Sequence, residues 1–324
     1  MSTEILNVKN LSMHYETLSG TVKAVKDVSF TLNKGESFGL VGESGCGKTS
    51  VAMSLLQLQA DNAIISSGSI NLDGVELIGM SESELRSVRW SGISMVFQGA
   101  MNAWNPVVKI GEQIREAIRE HYPNNSKSQN TEKIASLFKI VGLDDSIMNR
   151  YPHELSGGMK QRAIIALALS CDPKVVIADE PTTALDVVIQ DQILTEIKKV
   201  QKLLGLSLIY ISHDIAVIAE MTNNMAVMYA GSIVELGPTS EVFSNPKHAY
   251  TRLLLESTPS VVGERKQLRS LDGEPPSLIN DITGCSFSPR CPNPSEGCRN
   301  GSVEMKLVKV GDNHYADQCC LECN

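Results

Sequence analysis

Along the first forty residues, short apolar runs alternate with Gly and Asn turns, which predicts β-strands, the last ending on "SFGLVG". From Thr49 the apolar spacing of "TSVAMSLLQLQ" becomes helical. Residues 68–98 return to strand-like runs ("GSINLDG", "ISMVFQ"), and 110–170 read mainly as helix, interrupted by the polar stretch "YPNNSKSQN". Strand and helix then alternate: "KVVIAD", the helix "VIQDQILTEIKKVQKLL", the strand "LSLIYIS", another helix, then "MAVMYAGSIVEL". This alternation predicts an α/β domain with a largely parallel sheet and a helical insertion. After about residue 237 the chain turns Pro- and Ser-rich with few long periodic segments. The predicted division is therefore 1–237, with a helical subdomain at about 99–170, and a C-terminal extension at 238–324.

Composition narrows the classes. At 324 residues, 42% apolar and 20% charged, the chain has the make-up of a globular protein with room for more than one unit. A net charge of −8 supplies no basic field for nucleic acid, and 5% aromatics argue against a base-stacking platform. The start, "MSTEILNVKN", lacks the basic and apolar regions of a signal peptide. No apolar run approaches the ~18 residues that span a bilayer. A role at a membrane would need another chain to supply the membrane part.

Three stretches carry chemistry. Residues Gly42 to Thr49 fit G-x-x-x-x-G-K-[ST] between a predicted strand and a predicted helix. Gly42, Gly45 and Gly47 leave backbone N–H groups free to wrap a polyphosphate, and the helix start adds its positive end. Lys48 would reach the β- and γ-phosphates and the Thr49 hydroxyl would ligate Mg²⁺, with Glu43, Ser44, Cys46 and Ser50 completing the loop. Cys46 reads as a small filler where Ser would serve equally. "VVIADE" ends an apolar strand on Asp179 and Glu180, where one carboxylate can hold Mg²⁺ through water and the next can orient an attacking water. In "LSGGMKQR" a helix start at Ser156, Gly157 and Gly158 again offers N–H groups to an anion, or simply an N-cap.

The cysteines are uneven. Cys46 and Cys171 stand alone, whereas Cys285, Cys291, Cys298, Cys319, Cys320 and Cys323 crowd the C-terminus. Such a cluster forms disulfides in a secreted protein and points to metal in a reducing compartment. Zinc favours paired C-x₂₋₄-C knuckles, which only the extreme C-terminus offers. Irregularly spaced thiolates suit an iron–sulfur cluster better.

Taken in order, the phosphate loop, "LSGGM", "IADEPTTALD" and "ISHD" resemble the nucleotide-binding subunit of an ABC transporter. The resemblance covers essentially the whole chain. It implies a mostly parallel sheet with an antiparallel β portion and a helical subdomain. It also implies roles: Tyr15 stacking on adenine, Gln98 touching Mg²⁺ and the lytic water, Glu180 as catalytic carboxylate, Asp186 with Ala184 and Leu185 in the loop after it, and His213 on the γ-phosphate. Two such domains would sandwich two ATPs, so Ser156, Gly157 and Gly158 would serve the partner's nucleotide. "YPHELSGGMKQR", "DEPTTALDVVIQDQIL", "NPKHAYTRLLLESTPS" and "GCSFSPRCP" resemble the dipeptide/oligopeptide importer branch.

That branch implies ATP hydrolysis driving peptide import from the cytoplasmic face of the cell membrane. The partners implied are a second, different ATP-binding subunit, two membrane permeases and an external substrate-binding protein. Nucleic acid is not among them, and the membrane is reached only through the permeases. Some members carry a 4Fe–4S cluster in this extension, here on Cys285, Cys291 and Cys298, with Cys319 preferred to Cys320 or Cys323 as fourth ligand. There are two departures, "GAMNAWNP" after Gln98 and Ala249 in place of Pro; the first, in the region that would face the permease, leaves an oligosaccharide or nickel importer as alternatives. A soluble ABC ATPase without transport fits less well, because the chain has one motif set and no inserted coiled coil.

Overall fold

The computed structural model describes residues 4–183, 185–257, 272–279 and 282–321. In chain order the strands are β1 (Glu4–Thr17), β2 (Gly20–Asn33), β3 (Ser37–Val41), β4 (Ala63–Leu72), β5 (Val75–Glu76), β6 (Ile93–Val96), β7 (Val175–Asp179), β8 (Ser207–Ser212), β9 (Asn224–Tyr229), β10 (Ser232–Pro238), β11 (Leu307–Gly311) and β12 (His314–Asp317). The helices are α1 (Lys48–Leu55), α2 (Glu82–Val88), α3 (Ile110–His121), α4 (Lys127–Ile140), α5 (Gly157–Ala168), α6 (Val187–Leu204), α7 (Ile215–Met221), α8 (Thr239–Ser244), α9 (Ala249–Glu256) and α10 (Glu296–Asn300).

The chain divides into two compact units. One comprises 1–6, 32–36 and 72–209; the other comprises 7–31, 37–71 and 210–324.

In the first unit β6 and β7 pair in parallel, Ile93 opposite Val175 and Val96 opposite Ala178. Both strands are buried throughout, which explains why they read as unbroken apolar runs. Helices α3, α4 and α5 occupy much of the region predicted helical, with α4 starting inside the polar stretch expected to interrupt it. Ile110, Ile114 and Ile118 recur every four residues on one face of α3, and all are fully buried with Ile134 and Phe138 of α4. Each such side chain contributes roughly 1.5–3 kcal/mol by leaving water. Local signals set the ends: Ser126 and Gln129 form a capping box on α4, and Asp186 caps α6, which stops at Gly205.

In the second unit β3 pairs in parallel with β9, while β9, β10, β12 and β11 follow in antiparallel order. Strands β2, β1 and β4 lie side by side in another sheet.

The fold departs from the sequence reading in three places. The helix predicted from Thr49 ends at Leu55, because Gln57 adopts a left-handed φ of 51°. The region 68–98 contains a helix, α2, whose Ser81–Glu84 capping box is a local signal the strand reading passed over. The extension, read only as having few long periodic segments, carries a hairpin that joins a sheet: β12 pairs with β10 (Glu235 opposite Ala316). Those strands are short, so their alternation is weak, though the turn at Asp312–Asn313, with Asn313 at φ 51°, marks the hairpin.

Candidate functional site

In the second unit, β3 delivers the chain into the glycine-rich loop and α1 takes it away. Gly47 sits at φ 106°, and a Cβ there would lie 2.2 Å from the Ala24 carbonyl oxygen, so only glycine fits. At Gly42 a Cβ would meet the Met228 carbonyl at 2.2 Å. Gly45 differs: nothing lies within 4 Å of where its Cβ would stand, and Ser44, Gly45 and Thr49 face solvent. The loop is thus tight on its inner side and open on its outer side. Lys48 is buried, its Nζ donating to the carbonyls of Gly42 (2.7 Å) and Glu43 (2.9 Å). Cys46 is buried beside it, 3.7 Å from that Nζ, and burial pushes its thiol up, so it stays protonated at neutral pH. The half-buried Tyr15 of β1 meets the Ser50 hydroxyl at 3.0 Å, which sets its ring against the start of α1. His213 is exposed directly after β8, followed by Asp214, which caps α7.

In the first unit, β7 ends on the buried Asp179, and Glu180 follows with a left-handed φ of 46°. Such a backbone costs a side-chain-bearing residue stability and persists only where its surroundings enforce it. The Glu180 Oε2 accepts hydrogen bonds from Gln98 Nε2 (2.8 Å) and Thr183 Oγ1 (3.0 Å). Gln98 and Glu180, far apart in sequence, therefore meet directly. Thr183 was not singled out from the sequence, although it stands inside "DEPTTALD". Ser156 caps α5 through the Met159 N–H, with Gly157 exposed and Gly158 beside Ile189. Asp186 caps α6 and Leu185 lies near Gly157; Ala184 lies outside the described residues.

The cysteine extension belongs to the second unit. None of the described cysteines is in a disulfide. Cys285, Cys319 and His248 are all buried, with ligand atoms within 4.8 Å of one another. Cys298 adjoins them: its carbonyl accepts from the Cys285 N–H (2.8 Å), and its Sγ lies 3.7 Å from the Cys319 carbonyl. Cys291, half-buried just after the turn at 286–290, is not in that group. Nothing is described of the Cys320 side chain, and Cys323 lies outside the described residues. The Cys285 thiol is drawn down to about 5, chiefly by its hydrogen bond with Cys319 against the opposing effect of burial, and further by one with His248. His248 itself went unnoticed in the sequence. Its Nδ1 accepts the Tyr250 N–H at 3.1 Å, so the ring proton sits on Nε2, where it can be donated to sulfur.

Among the described residues no helix is long and apolar enough to cross a membrane. The ABC transporter family matches residues 25–183, and the oligopeptide/dipeptide transporter C-terminal region matches residues 234–298. The chain is 43% identical over 90% of its length to the dipeptide transport ATP-binding protein DppD of Bacillus subtilis, covering 87% of that protein. It is 42% identical over 91% of its length to the oligopeptide transport ATP-binding protein OppD of Escherichia coli, covering 87% of it. Among solved structures, a dimeric ATP-binding cassette in a post-hydrolysis state bound to ADP and Pi is 25% identical, with a TM-score of 0.65 over 72% of this chain and 98% of that one.

The protein is thus an ABC-type ATP-binding protein. Within that class the chain belongs to the dipeptide and oligopeptide transport branch.

Proposed function

We propose that the protein binds and hydrolyses ATP as one ATP-binding subunit of a peptide importer. The observation that carries this reading is the phosphate loop: inner glycines closed by carbonyls, an outer side open at Gly45, and Lys48 poised at its neck. Loop N–H groups from Gly42 to Ser50, with Ser44, Gly45, Cys46 and Gly47 between, cradle the phosphates, while Glu43, whose N–H goes to the Tyr250 hydroxyl, takes part by holding Lys48. Tyr15 stacks on adenine and His213 contacts the γ-phosphate. Thr49 through its hydroxyl, Gln98 through its amide oxygen and Asp179 through water would hold Mg²⁺, which would neutralise phosphate charge; the Gln98 amide nitrogen is the end turned to Glu180. Glu180, held by Gln98 and Thr183, aligns the lytic water. Ser156, Gly157 and Gly158 at the start of α5 serve the nucleotide of a second ATP-binding subunit, a sandwich in keeping with the dimeric cassette.

Two permeases and an external binding protein complete the transporter, which places the chain as a peripheral subunit at the cytoplasmic face of the cell membrane. The DppD and OppD relatives favour a peptide over an oligosaccharide or nickel. The test is ATPase activity of the reconstituted transporter with its binding protein. Dipeptides or oligopeptides should stimulate it. Stimulation by an oligosaccharide or nickel alone would overturn the substrate, and full substrate-coupled activity of this chain by itself would overturn the assembly.

In this reading Cys285, Cys291, Cys298 and Cys319 would hold a 4Fe–4S cluster in the extension. The buried Cys285–Cys319 pair, the lowered Cys285 thiol and the adjoining Cys298 are a donor set suited to a thiolate-bound metal. The cluster would act structurally, pinning the extension. His248 serves it as an N–H donor to the Cys285 sulfur rather than as a ligand, because its Nδ1 is occupied by the Tyr250 N–H.

A further inference from the structure

The phosphate loop contains an acid, Glu43, immediately after its first glycine. A carboxylate there opposes a polyphosphate, since like charges a few ångströms apart in partly buried surroundings are poorly screened. The structure pairs that acid with a cation from the opposite end of the sequence. Arg290 of the "SPRCP" element forms a two-pronged ion pair with it, one terminal nitrogen 2.6 Å from Oε2 and the other 2.9 Å from Oε1. The Arg290 side chain is only 5% exposed and that of Glu43 24%, so the pair is sheltered from water.

The guanidinium is itself fixed. Its Nε donates to the Asp272 carbonyl at 2.9 Å, and it reaches the Tyr229 hydroxyl at 3.3 Å. Tyr229 packs on Tyr250 and Phe287, and the Tyr250 hydroxyl accepts the Glu43 backbone N–H at 2.9 Å. The extension therefore grips Glu43 by both side chain and backbone. The Glu43 carbonyl in turn holds Lys48 Nζ.

We propose that Arg290 is a positioning residue for nucleotide binding. It neutralises Glu43 and fixes the limb of the loop that carries Lys48, so the cysteine extension is a working part of the ATP site. The inference rests on the ATP-binding reading above. Arg290 is also the covalent neighbour of Cys291, so whatever orders that cysteine orders the clamp.

The test is ATP affinity of the full-length protein, measured with a fluorescent ATP analogue alongside thermal unfolding. Wild type and Lys48→Ala calibrate it: if wild type does not bind the analogue, the ATP-binding reading itself fails. Arg290→Ala should weaken binding about tenfold, between the effects of exposed and buried pairs. Because the cause is an unpaired negative charge, the loss should shrink at high salt. Adding Glu43→Gln to Arg290→Ala should recover most of it. If Lys48→Ala weakens binding while Arg290→Ala binds as wild type, the inference alone is overturned. It is overturned equally if the double variant binds no better than Arg290→Ala at equal thermal stability.

Discussion

The nucleotide motifs and the thiol cluster are built in opposite ways. The motifs draw on short uninterrupted stretches: Gly42–Ser50 is one loop and helix start whose N–H groups and lysine are neighbours in sequence, braced from outside at Glu43. The cluster gathers His248 from the start of α9, Cys285 from a loop and Cys319 from the end of the β11–β12 hairpin. A site written in one stretch exists once that stretch is folded. A site gathered from three exists only when the tertiary structure is complete. Substitutions in the motifs should therefore change chemistry with little change in folding, and substitutions around the cluster should change folding first, reaching nucleotide binding only through the Arg290–Glu43 pair.

The largest expected effect tests the first half of that contrast. Glu180→Gln removes the carboxylate that Gln98 and Thr183 hold, while leaving an amide of the same shape. Hydrolysis in the assembled transporter should fall about a hundredfold or more, the usual scale for losing a general base. ATP binding and thermal stability should stay near wild type. Near-wild-type turnover would remove Glu180 from its role; a collapse in stability would break the comparison.

The second half turns on Glu235, a fully buried acid of β10. It accepts hydrogen bonds from His314 Nε2 (2.7 Å), the Lys247 N–H (2.7 Å) and the His248 N–H (2.9 Å). It thus ties α9 and the β11–β12 hairpin to one strand. Glu235→Ala leaves those buried donors without their acceptor, a loss of roughly 3 kcal/mol or a drop of roughly 5–10 °C in Tm. Calorimetry checks it. A variant as stable as wild type would mean that the extension is held without this hub.

How much of this was legible in the sequence follows the same division. The strand–helix alternation, the phosphate loop, Asp179 and Glu180 were readable, because period and spacing are local properties. Gln98 could be placed only by resemblance; its contact with Glu180 is tertiary. His248 and Arg290 gave no signal, since a lone histidine or arginine in a stretch without periodicity looks like any surface residue, and Glu235 gave none because a single acid in a predicted strand reads as an outward-facing position. The hairpin that seats Cys319 was missed for a related reason. "LVKVG" and "HYAD" alternate too briefly to stand out until β10 offers them an edge.

Metal content sharpens the cluster side next. Protein purified without oxygen should contain about four iron atoms and four sulfides per chain, and Cys285→Ser and Cys291→Ser should both lose them. One zinc in a colourless protein would overturn the cluster, and iron retained by Cys291→Ser would overturn that ligand. Without metal, the Cys285 thiol at about 5 still bears on stability. A folded value below the unfolded one of roughly 8.5 stabilises the fold fully above that pH. The gain fades as pH falls and is gone below about 5. The Tm gap between metal-free wild type and Cys285→Ser should accordingly narrow from pH 8 to pH 5. A gap independent of pH would mean that the thiolate contributes nothing.

The smallest effect is expected at Cys46, a cysteine on the motif side of the comparison. It is 4% exposed, burial keeps its thiol protonated, and its sulfur sits beside the Lys48 ammonium and the glycine turn at Gly42. Serine is slightly smaller and can accept from the same ammonium. Cys46→Ser should shift stability by less than ~1 kcal/mol and leave ATP affinity within about twofold. A neutral, buried thiol should also alkylate slowly. Once it has reacted, the adduct has no room inside the loop, because even a Cβ at Gly42 would come within 2.8 Å of the sulfur. ATP binding should then disappear in step with modification of the wild type, and the Ser variant should resist the reagent. If Cys46→Ser instead loses most of its ATP binding, the thiol does more than fill space, and the loop depends on side-chain chemistry as well as backbone.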